Sequence, residues 1–168
     1  VAPRAAALAS APRSPRLWLG DADDAPPSPV VLTDAQHRHV RTVLRLKVGD
    51  GVRLFGAAMG EWTGEIAESD RRATSVGGAA RTRPPPRRPL ALELFFAPLR
   101  KKKRATLLIE KAVELGVTRL APARTARTER GALDALPSGA CAAAVDAAAQ
   151  SERLDVPLIE AVVGLGEI

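Results

Sequence analysis

The sequence predicts an α+β protein: an N-terminal β-barrel followed by the first half of an α/β domain with a parallel sheet. Three observations along the 168 residues lead to this prediction. Short strand-like pieces separated by turns fill the first part of the chain, a proline-rich segment interrupts it, and strands then alternate with helices. Many short strands favour a barrel, and strand–helix alternation favours a parallel sheet.

The barrel is expected between residues 16 and 82, where a single helix interrupts the strands. Thr33 or Asp34 is a suitable N-cap, and apolar positions from Ala35 to Leu44 recur at helical spacing, so the helix is predicted to end near Arg45. A unit of this kind is typical of RNA-binding modules. The strand-like pieces are RLWL at 16–19, PVVL at 29–32, GVRLF at 51–55, GEWTGEIAE at 60–68 and ATSV at 73–76.

A proline-rich segment at residues 83–89 is predicted to be the domain boundary, because its prolines cannot donate backbone hydrogen bonds. Beyond it, the predicted order is strand, helix, strand, helix and a last short strand. The first strand, LALELFF at 90–96, is interpreted as an apolar run buried on both faces. The other predicted elements are a helix over 105–115 closed by Gly116, a strand TRLAP at 118–122, a helix over 138–153 and a strand PLIEAV at 157–162.

Positive charge is concentrated around this boundary. Nine of the 25 lysines and arginines lie between Arg81 and Arg104, where Glu93 is the one acidic residue, and the net charge of the chain is +6. A local positive field of this kind suits a polyanion, since neutralised phosphates release their condensed counterions. The alternative interpretation is a solvated basic linker, and the charge alone favours neither.

Several classes of protein are excluded by composition. No apolar run approaches the roughly 20 residues of a membrane helix, and a lone cysteine, Cys141, cannot form an internal disulfide. We expect a soluble protein of a reducing compartment without a metal, because two histidines and one distant cysteine give no ligand spacing. Residues 1–15 are expected to be a disordered tail or transit-like extension, so the predicted location is the cytoplasm, or alternatively a chloroplast or mitochondrion.

The first predicted helix carries cations at a spacing that places them on one face. Arg38, Arg41 and Arg45 lie three and four residues apart, with His39 beside them. Three guanidinium groups in a row can each bind a phosphate. Equally, His39 can be a half-buried packing residue and the arginines the solvated side of the helix, and the spacing does not decide between these two interpretations.

Two further sets of residues belong to the second half. Arg124, Arg127 and Arg130 follow the strand TRLAP, at the carboxyl edge of the predicted parallel sheet, where ligands of open α/β folds bind. Lys111 and Glu114 form a pair near the end of the predicted helix. Such a pair can orient a substrate, although a surface ion pair is the more common outcome of this spacing.

Five stretches, in this order, resemble RsmE-type ribosomal RNA methyltransferases of the knotted SPOUT superfamily. The resemblance implies a PUA-like RNA-binding barrel at 16–82, a linker at 83–89 and the N-terminal part of a SPOUT methyltransferase domain at 90–168. It further implies transfer of a methyl group from S-adenosylmethionine to N3 of a uridine in small-subunit (16S) ribosomal RNA, by a homodimer. The stretches are His39-x5-Arg45, RLFGAAMGEW at 53–62, KKKRATLLIEKAVELGV at 101–117, Pro122 to Arg127, and Gln150-x2-Arg153-x3-Pro157.

The resemblance also assigns roles to individual residues. Arg127 and Arg153 are expected to be catalytic, because cations near the substrate face can stabilise negative charge on the uracil oxygens. Lys111, Glu114 and Gln150 are expected to be structural or to orient the substrate. The RNA-binding set is His39, Arg41, Arg45, Lys101 and Arg104.

The chain departs from the family pattern in several places. Ala126 and Ala149 stand where the family usually has acidic residues, Thr42 where it commonly has arginine, and Glu152 where many members have glycine. The family binds its cofactor in a knot with a glycine-rich loop, and no stretch of the sequence supplies that loop. We therefore expect the cofactor site to lie beyond Ile168 and these residues alone to be inactive. The alternative hypothesis is a non-catalytic RNA-binding module.

Overall fold

The computed structural model describes residues 14–20, 24–87, 91–128 and 139–167. The chain divides into two compact units, Val1–Pro86 and Arg87–Ile168. Most of the predicted tail at 1–15, part of the predicted linker at 83–89 and Arg130 lie outside the described residues.

The first unit is built on one five-stranded sheet with the order β1-β3-β4-β5-β2. Strand β1 pairs with β3 in parallel, and the other neighbours are antiparallel. Three register shifts between β4 and β5 bend these strands, which curls the sheet into a half-barrel. The strands are β1 Arg16–Trp18, β2 Val30–Val31, β3 Gly51–Gly56, β4 Gly60–Ser69 and β5 Thr74–Arg83.

The concave face of this sheet carries the hydrophobic core of the unit. Val52 and Leu54 on β3 alternate with residues that point to the other face, which is the period of two expected of a strand. The helix closes the same core through Val40, which is fully buried. The other buried members of the cluster are Leu17, Val30, Leu32, Ile66 and Val76.

The first helix begins as predicted but does not continue as a regular α-helix. Thr33 is the N-cap and forms a capping box with Gln36, and helix α1 spans Asp34–Arg38. The next residues, His39–Val43, form a π-helical turn in which the N–H of Leu44 donates to the carbonyl of His39 at 3.0 Å. The prediction of a regular α-helix that ends near Arg45 is therefore wrong, because the α-helix gives way to a wider π-helical turn after Arg38.

The second unit is a parallel α/β arrangement, as predicted. Strand β7 lies in the middle, with β6 and β8 on either side and β9 pairing with its C-terminal end. Helices α2 and α3 pack against each other. The elements are β6 Glu93–Phe96, α2 Lys102–Glu114, β7 Arg119–Arg124, α3 Ala140–Gln150, β8 Leu158–Ile159, β9 Val163–Gly164 and a 3-10 turn at Leu165–Glu167.

Two sequence predictions in this unit differ from the structure. The first strand is shorter than 90–96 and is not buried on both faces, since Phe95 is 45% exposed. Its position at one end of the described sheet leaves it a single neighbouring strand, β7. Helix α2 begins at Lys102 instead of Ala105, so the lysine run belongs to the helix. Its end is as predicted, with Gly116 at a φ of +89°.

Within the described ranges, none of the helices is both long and apolar enough to cross a membrane.

Candidate nucleic-acid interface

A cavity of about 620 Å³ opens in the second unit where β6 and β7 end. Both strands run in parallel, with Phe96 in register with Pro122, so the segments that follow them emerge at the same edge of the sheet. This is the edge at which open α/β folds bind their ligands. The lining residues are Ala97, Pro98, Leu99, Arg100, Lys101, Arg104, Arg127 and Thr128.

Four of these eight lining residues are cationic, and none is acidic. The cavity brings together Lys101 and Arg104, predicted to bind RNA, and Arg127, predicted to be catalytic. All three side chains belong to exposed residues, so they are accessible to a ligand. The arrangement suits a polyanion and disfavours a cation.

Arg127 is held by a short turn that directly follows β7. The backbone N–H of Thr125 donates to Oγ1 of Thr128 at 2.8 Å, and the N–H of Thr128 donates to the carbonyl of Thr125 at 3.1 Å. The two threonine hydroxyls are 3.0 Å apart and share a hydrogen bond. These bonds close the turn over Ala126 and Arg127, so the position of Arg127 follows from where β7 ends.

The other cations of the cavity come from the start of α2. Lys101 is the N-cap of this helix and makes no side-chain capping bond, and the first turn holds no acidic residue. Lys102, Lys103 and Arg104 occupy that turn instead. Cations are unfavourable at the positive end of a helix dipole, so this sequence does not stabilise the helix by itself.

Arg153, which sequence reasoning placed among the catalytic residues, has a structural position. Its Nη1 donates to the carbonyl oxygens of Val113, in the last turn of α2, and Val117, just after the helix, at 2.7 and 2.9 Å. Its Nη2 donates to Asp155 at 2.8 Å, and the side chain is only 12% exposed. Arg153 does not line the cavity, because its guanidinium is bound at the C-terminal end of α2, and its catalytic role stays a prediction.

Lys111, Glu114 and Gln150 also lie away from the cavity lining. Lys111 Nζ donates to both carboxylate oxygens of Glu114, at 2.9 and 2.7 Å, and the two side chains are 58% and 43% exposed. The geometry favours the surface ion pair over the substrate-orienting interpretation. Gln150 is the exposed last residue of α3.

The remaining predicted RNA-binding residues belong to the first unit. His39, Arg41 and Arg45 are exposed, and Arg45 adopts a positive φ of 54° directly after the π-helical turn. Nη1 of Arg41 donates to the carbonyl oxygen of Asp70. The Asp70 carboxylate accepts from the backbone N–H groups of Ala73 and Arg72, at 2.8 and 2.6 Å, and these bonds lower its pKa.

A buried ion cluster in the first unit was missed by sequence reasoning. Glu61 accepts from Nε of Arg16 at 2.7 Å, and the two side chains are 3% and 2% exposed. Arg53 and Arg83 approach the same carboxylate at 3.8 and 4.0 Å. Arg16 also stacks over the ring of Phe55, 4.3 Å from its centroid. Glu61 alternates with core residues along β4, and this pattern was the signal in the sequence for a buried carboxylate. Its three partners come from other strands, so the pattern could not identify them.

Among the residues that the structure describes, no group of three or more histidine, cysteine, aspartate and glutamate side chains is placed to hold a metal ion.

Comparison with known proteins gives matches along most of the chain. Residues 86–168 match an RNA methyltransferase domain family, and residues 32–76 match a family described as an RNA methyltransferase PUA domain. The ribosomal RNA small subunit methyltransferase E of Rickettsia conorii is 34% identical over 134 residues, which are 79% of this chain and 53% of that protein. The chain thus spans about half the length of the curated relative it matches.

Solved structures share the fold of the chain. The ribosomal RNA small subunit methyltransferase E of Neisseria gonorrhoeae, bound to S-adenosylmethionine, superposes with a TM-score of 0.73 at 24% identity, covering 92% of this chain and 63% of that one. A methyltransferase of Legionella pneumophila, solved with the same cofactor, gives a TM-score of 0.69 at 20% identity, with coverages of 92% and 65%. At these identities the likeness establishes the fold, a half-barrel followed by a parallel α/β unit.

Proposed function

The chain belongs to the RsmE-type family of ribosomal RNA methyltransferases, and we propose that its protein methylates N3 of a uridine in small-subunit ribosomal RNA. The observation that carries the proposal is the 34% identity over 134 residues, a stretch longer than either unit and therefore shared by both. The proposal includes S-adenosylmethionine as methyl donor, a homodimeric protein and a cytoplasmic location.

The proposed division of labour follows the two units. Residues 16–82 would act as the PUA-like module that binds RNA, and residues 90–168 as the beginning of the methyltransferase domain, joined by the linker 83–89. Three exposed residues of the first unit, His39, Arg41 and Arg45, are proposed to contact RNA from the π-helical turn and the residues that follow it. In the second unit, the same role is proposed for the cavity lined by Lys101, Arg104 and Arg127.

The cavity does not fit the methyl donor. S-adenosylmethionine supplies an electrophilic methyl group on a sulfonium sulfur, which is a cation, and four cations in the cavity lining would repel it. No residue of the described part of the chain is therefore assigned to the cofactor. The cavity fits the other substrate, because RNA carries one negative charge per phosphate.

The contribution of these residues to the reaction is positioning. N3 of a neutral uracil carries a proton and is a poor nucleophile until that proton leaves, so the reaction depends on holding the base in one place and orientation. Cationic side chains that bind the RNA fix the backbone and thereby the base attached to it. Positioning of reactants is among the largest contributions available to an enzyme.

Mapping of modified nucleotides in the source organism tests the proposal on the whole protein. Disruption of the gene should remove one N3-methyluridine from small-subunit ribosomal RNA, as detected by mass spectrometry of nuclease fragments, and reintroduction of the gene should restore it. An unchanged set of N3-methyluridines would contradict the proposal. Unchanged modification together with retained RNA binding by the purified chain would favour the non-catalytic RNA-binding module.

A further inference from the structure

We propose that the cationic cavity binds one phosphate group of the RNA backbone, and that Arg104 and Arg127 share this phosphate. The inference rests on the proposed function, in that RNA is taken as the substrate. It goes further by naming the chemical group that enters the cavity and by assigning Arg127 to backbone binding instead of to charge on the reacting base.

Two guanidinium groups from separate elements line one cavity. Arg104 comes from the first turn of α2 and Arg127 from the turn after β7. A guanidinium presents a planar fork of N–H donors that matches the oxygens of a phosphate, and two such forks can bind one phosphate from two sides. Lys101 adds a third charge at the same lining.

Repulsion among the cations of the lining also favours an anion in the cavity. The ion pairs described in the second unit include those of Lys111, Arg119 and Arg153, and none of these pairs includes Lys101, Arg104 or Arg127. Lys101 and Arg104 also lie at the N-terminal end of α2, where the helix dipole opposes them. A bound anion would offset both sources of repulsion at once.

The size and the lining of the cavity suit a stretch of RNA backbone. A volume of about 620 Å³ falls within the range of about 300–1,000 Å³ typical of small-molecule sites, so a phosphate with its two flanking sugars fits. Among the described residues, the lining has no aromatic side chain on which a base could stack and no carboxylate to pair with a base edge. These features favour the RNA backbone over a flipped base as the occupant.

The chain offers a matched control for Arg104. Lys103 is its neighbour in the first turn of α2, is also exposed and carries the same charge, but does not line the cavity. The variants Arg104→Gln and Lys103→Gln therefore remove the same charge from the same end of the same helix. A difference in phosphate or RNA binding between the two variants therefore reflects the cavity and not the total charge of the chain.

Titration of the purified chain with inorganic phosphate, followed by the backbone amide signals in NMR spectra, tests the site directly. We expect saturable shifts at residues 102–104 and 127–128, which persist in Lys103→Gln and disappear in the double variant Arg104→Gln/Arg127→Gln. Shifts that are equal in the control and in the double variant, or absent from the wild-type chain, would overturn the proposal. Because this titration requires no methylation, its result is independent of the proposed function.

Binding of an RNA oligonucleotide at several salt concentrations tests whether the phosphate is shared. For single-stranded RNA, the slope of log K against log salt changes by about 0.7 for each phosphate contact. A shared phosphate predicts that the double variant Arg104→Gln/Arg127→Gln lowers the slope by about 0.7, whereas two separate phosphates predict about 1.4. The second outcome would overturn the sharing.

Competition distinguishes the two anions that a methyltransferase could bring to the cavity. The carboxylate of the methyl donor is an anion too, so S-adenosylmethionine is added to the phosphate-saturated chain. We expect the amide shifts at residues 102–104 to remain unchanged. Displacement of phosphate by S-adenosylmethionine would overturn the assignment to the RNA backbone. If the purified chain binds phosphate but disruption of the gene leaves N3-methyluridine unchanged, the proposed function is refuted and the phosphate site is not.

Discussion

Nη1 of Arg153 lies 2.7 Å from the carbonyl oxygen of Val113, and this hydrogen bond joins residues 40 positions apart in the chain. The same nitrogen also donates to the carbonyl of Val117, while the other side of the guanidinium pairs with Asp155. One side chain thus satisfies carbonyl groups at the C-terminal end of α2, where a positive charge is favourable. It stabilises the helix whose other end lines the cationic cavity.

Replacement of Arg153 should destabilise the second unit. Arg153→Gln removes two capping bonds and the ion pair with the buried Asp155, which we expect to cost about 3 kcal/mol of unfolding free energy. Urea unfolding followed by helical circular dichroism reports this unit, because α2 and α3 have 13 and 11 residues against five in α1. The exposed Arg124→Gln is the control, and equal stability of the two variants would show that the bonds contribute nothing.

Replacement of Glu61 should destabilise the first unit. Glu61→Gln removes the ion pair of the buried Arg16, and breaking such a pair costs about 3–5 kcal/mol. Tryptophan fluorescence during urea unfolding measures this unit specifically, since Trp18 and Trp62, the two tryptophans of the chain, both belong to it. Glu68→Gln, on the same strand but exposed, should change little. A midpoint for Glu61→Gln within error of this control would refute the importance of the cluster.

Asp70 should make the first unit sensitive to acid. Backbone N–H groups of Ala73 and Arg72 donate to its carboxylate and hold its pKa below the ordinary value of 3.8. A lowered pKa in the folded state means that this contribution to stability is present above pH 3.8 and is lost as the pH falls through the folded-state pKa. Asp70→Asn should therefore flatten the decline of unfolding free energy below this pH, as measured by tryptophan fluorescence. If the unfolding free energies of the wild-type chain and of Asp70→Asn decline in parallel below this pH, the prediction is contradicted.

Gly60 should tolerate no side chain. Its φ is +77°, and an added Cβ would lie 2.3 Å from the carbonyl oxygen of Arg83. Gly60→Ala therefore combines a cost of about 1–2 kcal/mol for the left-handed backbone with about 1–3 kcal/mol for the overlap. Gly78, at a φ of +64° with open space around it, isolates the first cost. Equal unfolding midpoints of Gly60→Ala and Gly78→Ala would show that the close approach is unimportant.

Local signals in the sequence predicted the parts of the fold that local chemistry determines. The capping box of Thr33 with Gln36 and the positive φ of Gly116 depend on residues within one helical turn, and both helix ends lie where the sequence places them. The π-helical turn after Arg38 was not predictable in this way. It accompanies the burial of Val40 in the core of the sheet, which is a tertiary contact.

Longer-range partners account for the other differences. Strand β5 continues to Arg83, well past the predicted end at Val76, because pairing with β4 overrides the low strand propensity of Gly77-Gly78-Ala79-Ala80. The role of Arg153 depends on carbonyl groups 36 and 40 residues away. By contrast, Lys101 and Arg127 meet at one cavity for a reason that the sequence does contain, namely that each follows the carboxyl end of a neighbouring parallel strand.

The most direct test of the account measures methylation in cells that carry the whole protein. A strain lacking the gene is supplied with the wild-type protein, with Arg104→Gln or with the control Lys103→Gln, and the occupancy of N3-methyluridine in small-subunit ribosomal RNA is determined over time by mass spectrometry. We predict that Lys103→Gln restores methylation at the wild-type rate, whereas Arg104→Gln is slower by about tenfold or more, as expected for loss of a charge-assisted hydrogen bond. Equal rates for the two variants would contradict the claim that the cationic cavity holds the RNA.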